Sequence, residues 1–343
     1  ISVNAVRPHP SFWRLVDDLG MEDSFNPSRE SASSRWVILQ GGKHRLSSST
    51  IFKIGLFGFL RGLINSRKGS PSVYDILQNK ELADAITLGI VNDKAERVDA
   101  NFLFPRLTGF GVNPPIGNRK MRKMIADSYP IFIPKKGSLA SMDGGMEDII
   151  HGLNDALSEM NNVDIIKEVN EKTPDEVSSA YGVPLSSIIW ASGLPNREAG
   201  ESSLSVFAVG YPKEEVNEVE LGYGTLIPDP NIPISGILHE SDIHSSDRAP
   251  DGHRLFRLMV PHTRWDGDDQ TVRDALSNLI GFEAAPVIFQ KIGERAIPRY
   301  PPGYLSSLLD HQERFSYAGW TASGVSVTHV VDEAERISEL FMQ

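Results

Sequence analysis

Apolar and polar positions recur along this chain with two periods. Near the start, Phe12, Leu15, Val16 and Leu19 fall at helical spacing, and Gly20 stands where such a helix would stop. Residues 35–40 (RWVILQ) read as a strand, Gly41 and Gly42 as a tight turn, and 43–46 as the returning strand. A Phe-rich apolar run over 51–64 reads as a helix flanked by basic residues, and 73–90 reads as another. Over 146–160, Ile149, Ile150, Leu153 and Leu157 keep helical register, with Asp143 as the expected N-cap. Residues 163–169, 187–191, 204–210, 223–227, 254–260 and 287–292 read as strands, and 271–280 as a helix. At the end, 315–318 reads as a strand entering a glycine-rich turn, followed by a helix over 325–341. Hairpin signals mixed with scattered helices predict an α/β or mixed α+β fold.

Composition narrows the function classes. At 343 residues the chain is long enough for one large or two ordinary domains, and 40% hydrophobic with 23% charged residues is an ordinary globular balance. The net charge of −11 argues against nucleic acid as the main partner, because phosphate binding needs clustered cations. A local exception runs from Arg119 to Lys136, where a basic loop is either simply solvated or a contact for RNA or acidic lipid. The stretch 51–68 is either a core helix or one that lies on a membrane surface. Cysteine is absent, which removes disulfides, Cys-ligated metals and thiol catalysis. The chain opens on Ile1 rather than Met, as expected of a processed or partial sequence.

Candidate chemistry is sparse. His239, His244, His253 and His262 crowd one region with Glu240, Asp242 and Asp247, but without the two-residue interval that puts two imidazoles on one helical face. The Ser, Asp, Pro and Gly around them predict a loop, and no metal site is expected. Ser323 lacks the glycine spacing of a nucleophile elbow, and Gly109 and Gly111 precede Pro114 and Pro115 rather than a helix. Arg35, at the head of a strand, is either a surface residue or a guanidinium fork for a carboxylate. The terminal strand, glycine turn and helix would leave backbone N–H groups where an anion can sit.

Several strings, taken in order, resemble the protoporphyrinogen oxidases of the FAD-dependent amine oxidase superfamily: LVDDLG (15–20), SRWVILQGGKHRL (34–46), SLASMDGGM (138–146), IIWAS (188–192), GYGTLIP (222–228), AIPRY (296–300) and GWTASGVSV (319–327). The resemblance implies a flavin-oxidase fold. Residues 1–30, 137–200 and 285–343 would form a dinucleotide-type layer, and 31–136 with 201–284 a sheet-based substrate domain. It also implies that Arg35 would meet a substrate propionate, and that Gly144, Gly145, Gly319, Gly324, Val325 and Val327 would approach FAD.

The departures fall at cofactor positions. No G-x-G-x-x-G follows an early strand, and the flavin-side string G-V-[FY]-A-G-[DN] stands as GIVNDK at 89–94. QYxxGH stands as RYPPGY at 299–304, and Ala334 replaces a glycine. Two readings follow. One is a non-catalytic descendant that holds no cofactor and serves with other protein subunits in a larger assembly. The other is an active FAD-dependent oxidase whose dinucleotide-binding segment lies outside this sequence. The resemblance implies a mitochondrion, or a plastid, as the compartment.

Overall fold

A computed structural model of the chain describes residues 4–47, 60–62, 64, 69–104, 119–120, 123–124, 127, 139–192, 200–281, 285–309, 315–324 and 326–342. The expected helix over 51–64 and the basic stretch 119–136 lie almost wholly outside the described residues, as does Val325. Among the described residues the principal helices are α1 (Pro10–Asp18), α2 (Val73–Leu77), α3 (Lys80–Val91), α4 (Ala100–Leu103), α5 (Asp148–Glu159), α6 (Pro174–Tyr181), α7 (Glu240–Ile243), α8 (Asp269–Ile280), α9 (Tyr304–Leu309), α10 (Trp320–Ser323) and α11 (Val327–Phe341). The strands are β1 (Phe25–Pro27), β2 (Arg35–Leu39), β3 (Gly42–Arg45), β4 (Ala140–Met142), β5 (Ile189–Trp190), β6 (Glu201–Pro212), β7 (Gly224–Leu226), β8 (Gly236–Leu238), β9 (His253–Pro261), β10 (Ile288–Pro298) and β11 (Ser316–Tyr317).

Two compact units form. Unit 1 comprises Ile1–Pro27, Pro115–Glu198 and Tyr304–Gln343; unit 2 comprises Ser28–Pro114 and Ala199–Gly303. Residues 285–303 thus belong to unit 2, not to the dinucleotide-type part expected from the sequence. The cause is pairing: β10 runs antiparallel to β6 from Ile288↔Gly210 to Pro298↔Glu201, with a bulge between Lys291 and Gly293.

Unit 2 is built on a seven-stranded sheet in the order β10-β6-β9-β8-β7-β2-β3. All neighbours are antiparallel except β2 and β7. Side chains alternate between faces, and the register puts Phe207 opposite Leu258 and Val209 opposite Phe256 on one face. That face closes the larger core, with Val272 and Leu276 of α8 against it. On the other face Val37, Leu39 and Leu226 pack with Ala85 of α3. In unit 1, Phe12, Trp13 and Val16 of α1 pack with Phe25, Met142 and Ile149, and Val327 and Val331 of α11 close the cluster.

Local chemistry accounts for the departures from the sequence reading. The single helix expected over 73–90 is two, because Gln78 takes a left-handed conformation (φ 52°) and Asn79 caps a new start through Leu82 N–H. Ser72 and Asp75 form a capping box at the first. Asp143 does not cap α5; Glu147 holds that position, and Asp143 accepts from Asn26 Nδ2 at 2.9 Å. Residues 163–169 form no strand: they are irregular, mostly exposed chain, with Glu168 at a left-handed φ of 59°. Where a loop was expected at 239–244, α7 forms one helical turn, with Asp242 N–H donating to the His239 carbonyl at 2.8 Å.

Candidate functional site

Unit 1 contains the place where the sequence put a cofactor. Strands β5 and β11 pair in parallel, Ser316↔Ile189 and Tyr317↔Trp190. Gly319 follows at φ +80° and Gly324 at φ +104°, both left-handed and suited to glycine. The segment between them is the short helix α10 rather than an open turn. Helix α11 then starts at Ser326 with no side-chain cap and no acidic residue in its first turn, and Val327 is its first residue.

Helix α11 is fastened to α1 by charge. Asp332 lies 2.6 Å from His9 Nδ1 and accepts a short bond from Ser11 Oγ. Arg14 grips Glu335 through two bonds of 2.5 and 2.6 Å, and Thr328 Oγ1 donates to the Arg7 carbonyl at 3.0 Å. Burial alone would raise the Asp332 carboxyl; the bonds from His9 and Ser11 outweigh it and hold the pKa below its ordinary value.

A flavin dinucleotide needs glycines whose missing Cβ leaves room for its phosphates. A Cβ on Gly144 would meet the Asp148 carboxylate at 2.5 Å, and that carboxylate already accepts from Gly144 N–H at 3.0 Å. Gly145 beside it has φ 118°. A Cβ on Gly319 would meet the Ala191 carbonyl at 3.0 Å. Gly89, in the flavin-type string, sits inside α3 in unit 2, where a Cβ would strike Leu226 Cδ2 at 2.6 Å. A Cβ on Gly324 would make only an ordinary contact, with His329 Nδ1 at 3.6 Å. At Gly144, Gly319 and Gly89 the missing Cβ makes room for the chain's own atoms, and no chemical step through flavin follows from the described residues.

Arg35 heads β2 in unit 2, opposite Gly224. Its guanidinium is exposed and lies 5.0 Å from the centre of the Tyr223 ring. An arginine held over an aromatic face is pre-oriented for a carboxylate. Burial raises the Tyr223 phenol, and Arg35 partly opposes that rise.

Next to Tyr223, whose carbonyl accepts from His239 N–H at 3.0 Å, lies a set of buried charges, of which the sequence reading weighed His239, Glu240, Asp242 and His244 only as metal ligands. Asp242 Oδ2 accepts from Arg254 Nη2 at 2.8 Å and from Gly222 N–H at 3.3 Å, and lies 3.4 Å from His239 Nδ1. Arg254 Nη1 also donates to the carbonyls of Val216 (2.7 Å) and Val219 (2.9 Å). Glu240 pairs with Arg257 at 2.8 Å and with His244 at 3.3 Å. A signal was present in the chain: Arg254, Phe256, Leu258 and Val260 share one phase of β9, so the arginine points with the core residues. Among the described residues no group of His, Asp or Glu is arranged to hold a metal.

No protein-family model and no curated protein matches the sequence. Solved structures do. A protein from Exiguobacterium sp. 255-15 assigned as a protoporphyrinogen oxidase superposes with a TM-score of 0.59 at 12% identity, covering 96% of this chain and 84% of its own. Cyclohexylamine oxidase from Brevibacterium oxydans IH-35A gives 0.59 at 12% identity, covering 99% and 87%. Reduced UDP-galactopyranose mutase gives 0.56 at 12%, covering 99% and 83%. An oxidase and a mutase on one architecture show that the likeness fixes fold and not reaction. The chain has the mixed α/β fold of the FAD-dependent amine oxidases.

Proposed function

We propose that the chain is a protoporphyrinogen oxidase-like scaffold that acts as a non-catalytic subunit of a larger, mitochondrial assembly. The observation that carries this reading is the filling of the cofactor-type glycine positions by the chain's own atoms: Asp148 at Gly144, Ala191 at Gly319 and Leu226 at Gly89. Each of these glycines serves a close approach within the protein, so the fold keeps them for packing. The mitochondrial placement rests on the sequence resemblance alone.

The test is direct. The full chain, purified and then incubated with FAD and desalted, is expected to lack the visible absorbance of an oxidised isoalloxazine. Stoichiometric retained FAD overturns the scaffold reading.

One observation favours the second reading, an FAD-dependent protoporphyrinogen oxidase completed by a segment outside this sequence. Gly324 stands, without a tight contact at its Cβ position, just ahead of the uncapped start of α11, where an anion would be welcome. In that case Arg35 receives a substrate carboxylate. Arg35→Ala then weakens porphyrin binding about tenfold, the loss of one charged contact. In the scaffold reading the substitution leaves porphyrin binding unchanged, and equilibrium fluorescence quenching separates the two.

A further inference from the structure

We propose that the outer side of α5 and the chain following it form a docking surface for a basic amphipathic helix of a protein partner. The proposal rests on the assembly reading above and names the chemistry of one partner. Helix α5 carries apolar residues on more of its circumference than unit 1 buries. Ile149 is buried in the core with Phe12 and Trp13, and Leu153 packs at its margin. Ile150 and Leu157, two turns apart on one line, are 61% and 39% exposed. Ile150, Leu153 and Leu157 fall at i, i+3 and i+7, the spacing of a helix-pairing seam.

The helix cannot turn to hide that seam. Its back is held by Ile149 in the core, and Gly152 lies against Met21, where a Cβ would meet the sulfur at 2.7 Å. Its start is pinned by the bond from Gly144 N–H to Asp148. Rotation that buried Ile150 would expose Ile149 instead.

The exposed apolar surface continues beyond the helix through Met160, Ile165, Ile166 and Val169. From 157 to 187 Pro174 alone is buried. Stable monomeric surfaces scatter their large apolar residues singly; a run of this kind marks an interaction site.

Charge selects the occupant. Residues 147–176 carry nine Asp and Glu against two Lys, Lys167 and Lys172. Asp155 and Glu159 lie on α5 itself, and Asp164 and Glu168 stand among the exposed isoleucines. A second copy would bring the same acidic surface and be repelled. An anionic lipid surface would be repelled for the same reason. A helix with an apolar stripe flanked by Lys and Arg satisfies both the seam and the charge.

A photo-crosslinking residue placed at Ile150, and separately at Ile166, in the full chain expressed in its native cells tests the proposal. The expected product joins this chain to another polypeptide, at a peptide with net positive charge and apolar residues at helical spacing. Crosslinks confined to a second copy, to another stretch of the same polypeptide or to lipid overturn it, as does the absence of any crosslink. In vitro, a synthetic Leu/Lys amphipathic helix is expected to bind the full chain at least tenfold more tightly than a Leu/Glu helix with the same apolar face. The Ile150→Asp, Leu157→Asp double variant, altered at exposed positions and checked for an unchanged melting temperature, is expected to lose about tenfold in affinity for that peptide. Equal binding of the two peptides, or binding indifferent to the variant, overturns the proposal. Neither measurement depends on flavin, so retained FAD would sink the scaffold reading while leaving this surface to be judged by its own crosslinks.

Discussion

Asp242 is the residue on which the buried polar groups of unit 2 converge: Arg254, His239 and the Gly222 N–H all point at one carboxylate oxygen. Removing it would strand a buried guanidinium. Asp242→Ala is therefore expected to cost about 3–5 kcal/mol, read as a loss of chemical-denaturation midpoint. A loss below about 1 kcal/mol would show that solvent reaches Arg254. The same cluster sets a pH dependence. Burial is the largest influence on His239 and lowers its pKa below 6.5, against the opposing pull of Asp242. The unfolded chain then takes up a proton where the folded chain does not. Stability is full above pH 6.5 and falls as pH drops from there towards the folded value, by about 1.4 kcal/mol for each pH unit of depression. Asp242 is itself held below 3.8, because His239 and Arg254 together outweigh its burial, so its contribution disappears only as pH falls below 3.8. Thermal midpoints are expected to fall between pH 7.5 and pH 5, and His239→Gln to flatten that slope; a slope unaltered in the variant would place the titration elsewhere. The sequence showed these residues as neighbours in the chain. What it hid was the partner: Arg254 becomes the counter-charge only once β9 pairs with β8 and β6 and turns it inward.

Among the elements, Gly224 within β7 and Gly89 of α3 against it separate backbone geometry from packing. A Cβ on Gly224 would lie 2.3 Å from the Ile237 carbonyl, an atom fixed in the β7–β8 ladder. A Cβ on Gly89 would meet only the end of the Leu226 side chain. Gly224→Ala is expected to cost at least about 1–3 kcal/mol with no relief from side-chain changes nearby. Gly89→Ala gains about 1 kcal/mol of helix propensity against its clash, so its net cost is smaller. Combined with Leu226→Ala, the Gly89 substitution should show a coupling above about 0.5 kcal/mol, measured by a double-mutant cycle on denaturation midpoints. Additive effects would mean that α3 does not press on β7. Six of the seven strands of this sheet were legible in the sequence, β9 by its alternation; the three-residue β8 is too short to leave a period and was not. The run 163–169 has the same composition and forms no strand, because a strand needs a neighbour to receive its backbone bonds and none of the described residues supplies one. The break at Gln78 and Asn79 was missed: Gln78 ends one helix in a left-handed conformation and the Asn79 side chain starts the next, while the apolar period runs on through 73–90.

For the whole molecule, ownership of the core decides which part can stand alone. Unit 2 holds all seven strands of its sheet, both of the apolar layers against them and the Asp242 cluster, from two stretches of chain. Unit 1 needs three stretches, and its core closes only when α11, near the end of the chain, packs on α1, near the start. The sequence resemblance conveyed the fold because strings spread over the chain matched in order. It misplaced 285–303, since the pairing of β10 with β6 joins residues some eighty positions apart and leaves no local mark on either. A chain in which residues 28–114 are joined to 199–303 by a flexible linker is therefore expected to fold, because every residue described in its two apolar clusters lies within those stretches. It should melt in one cooperative transition and keep the loss of stability below pH 6.5 that His239 confers. The matching chain of unit 1 pieces lacks that histidine and should show no such dependence. If the joined unit 2 chain melts without a transition, or melts independently of pH, its core is completed by residues outside these two stretches, and the Asp242 cluster is a joint between units rather than the anchor of one.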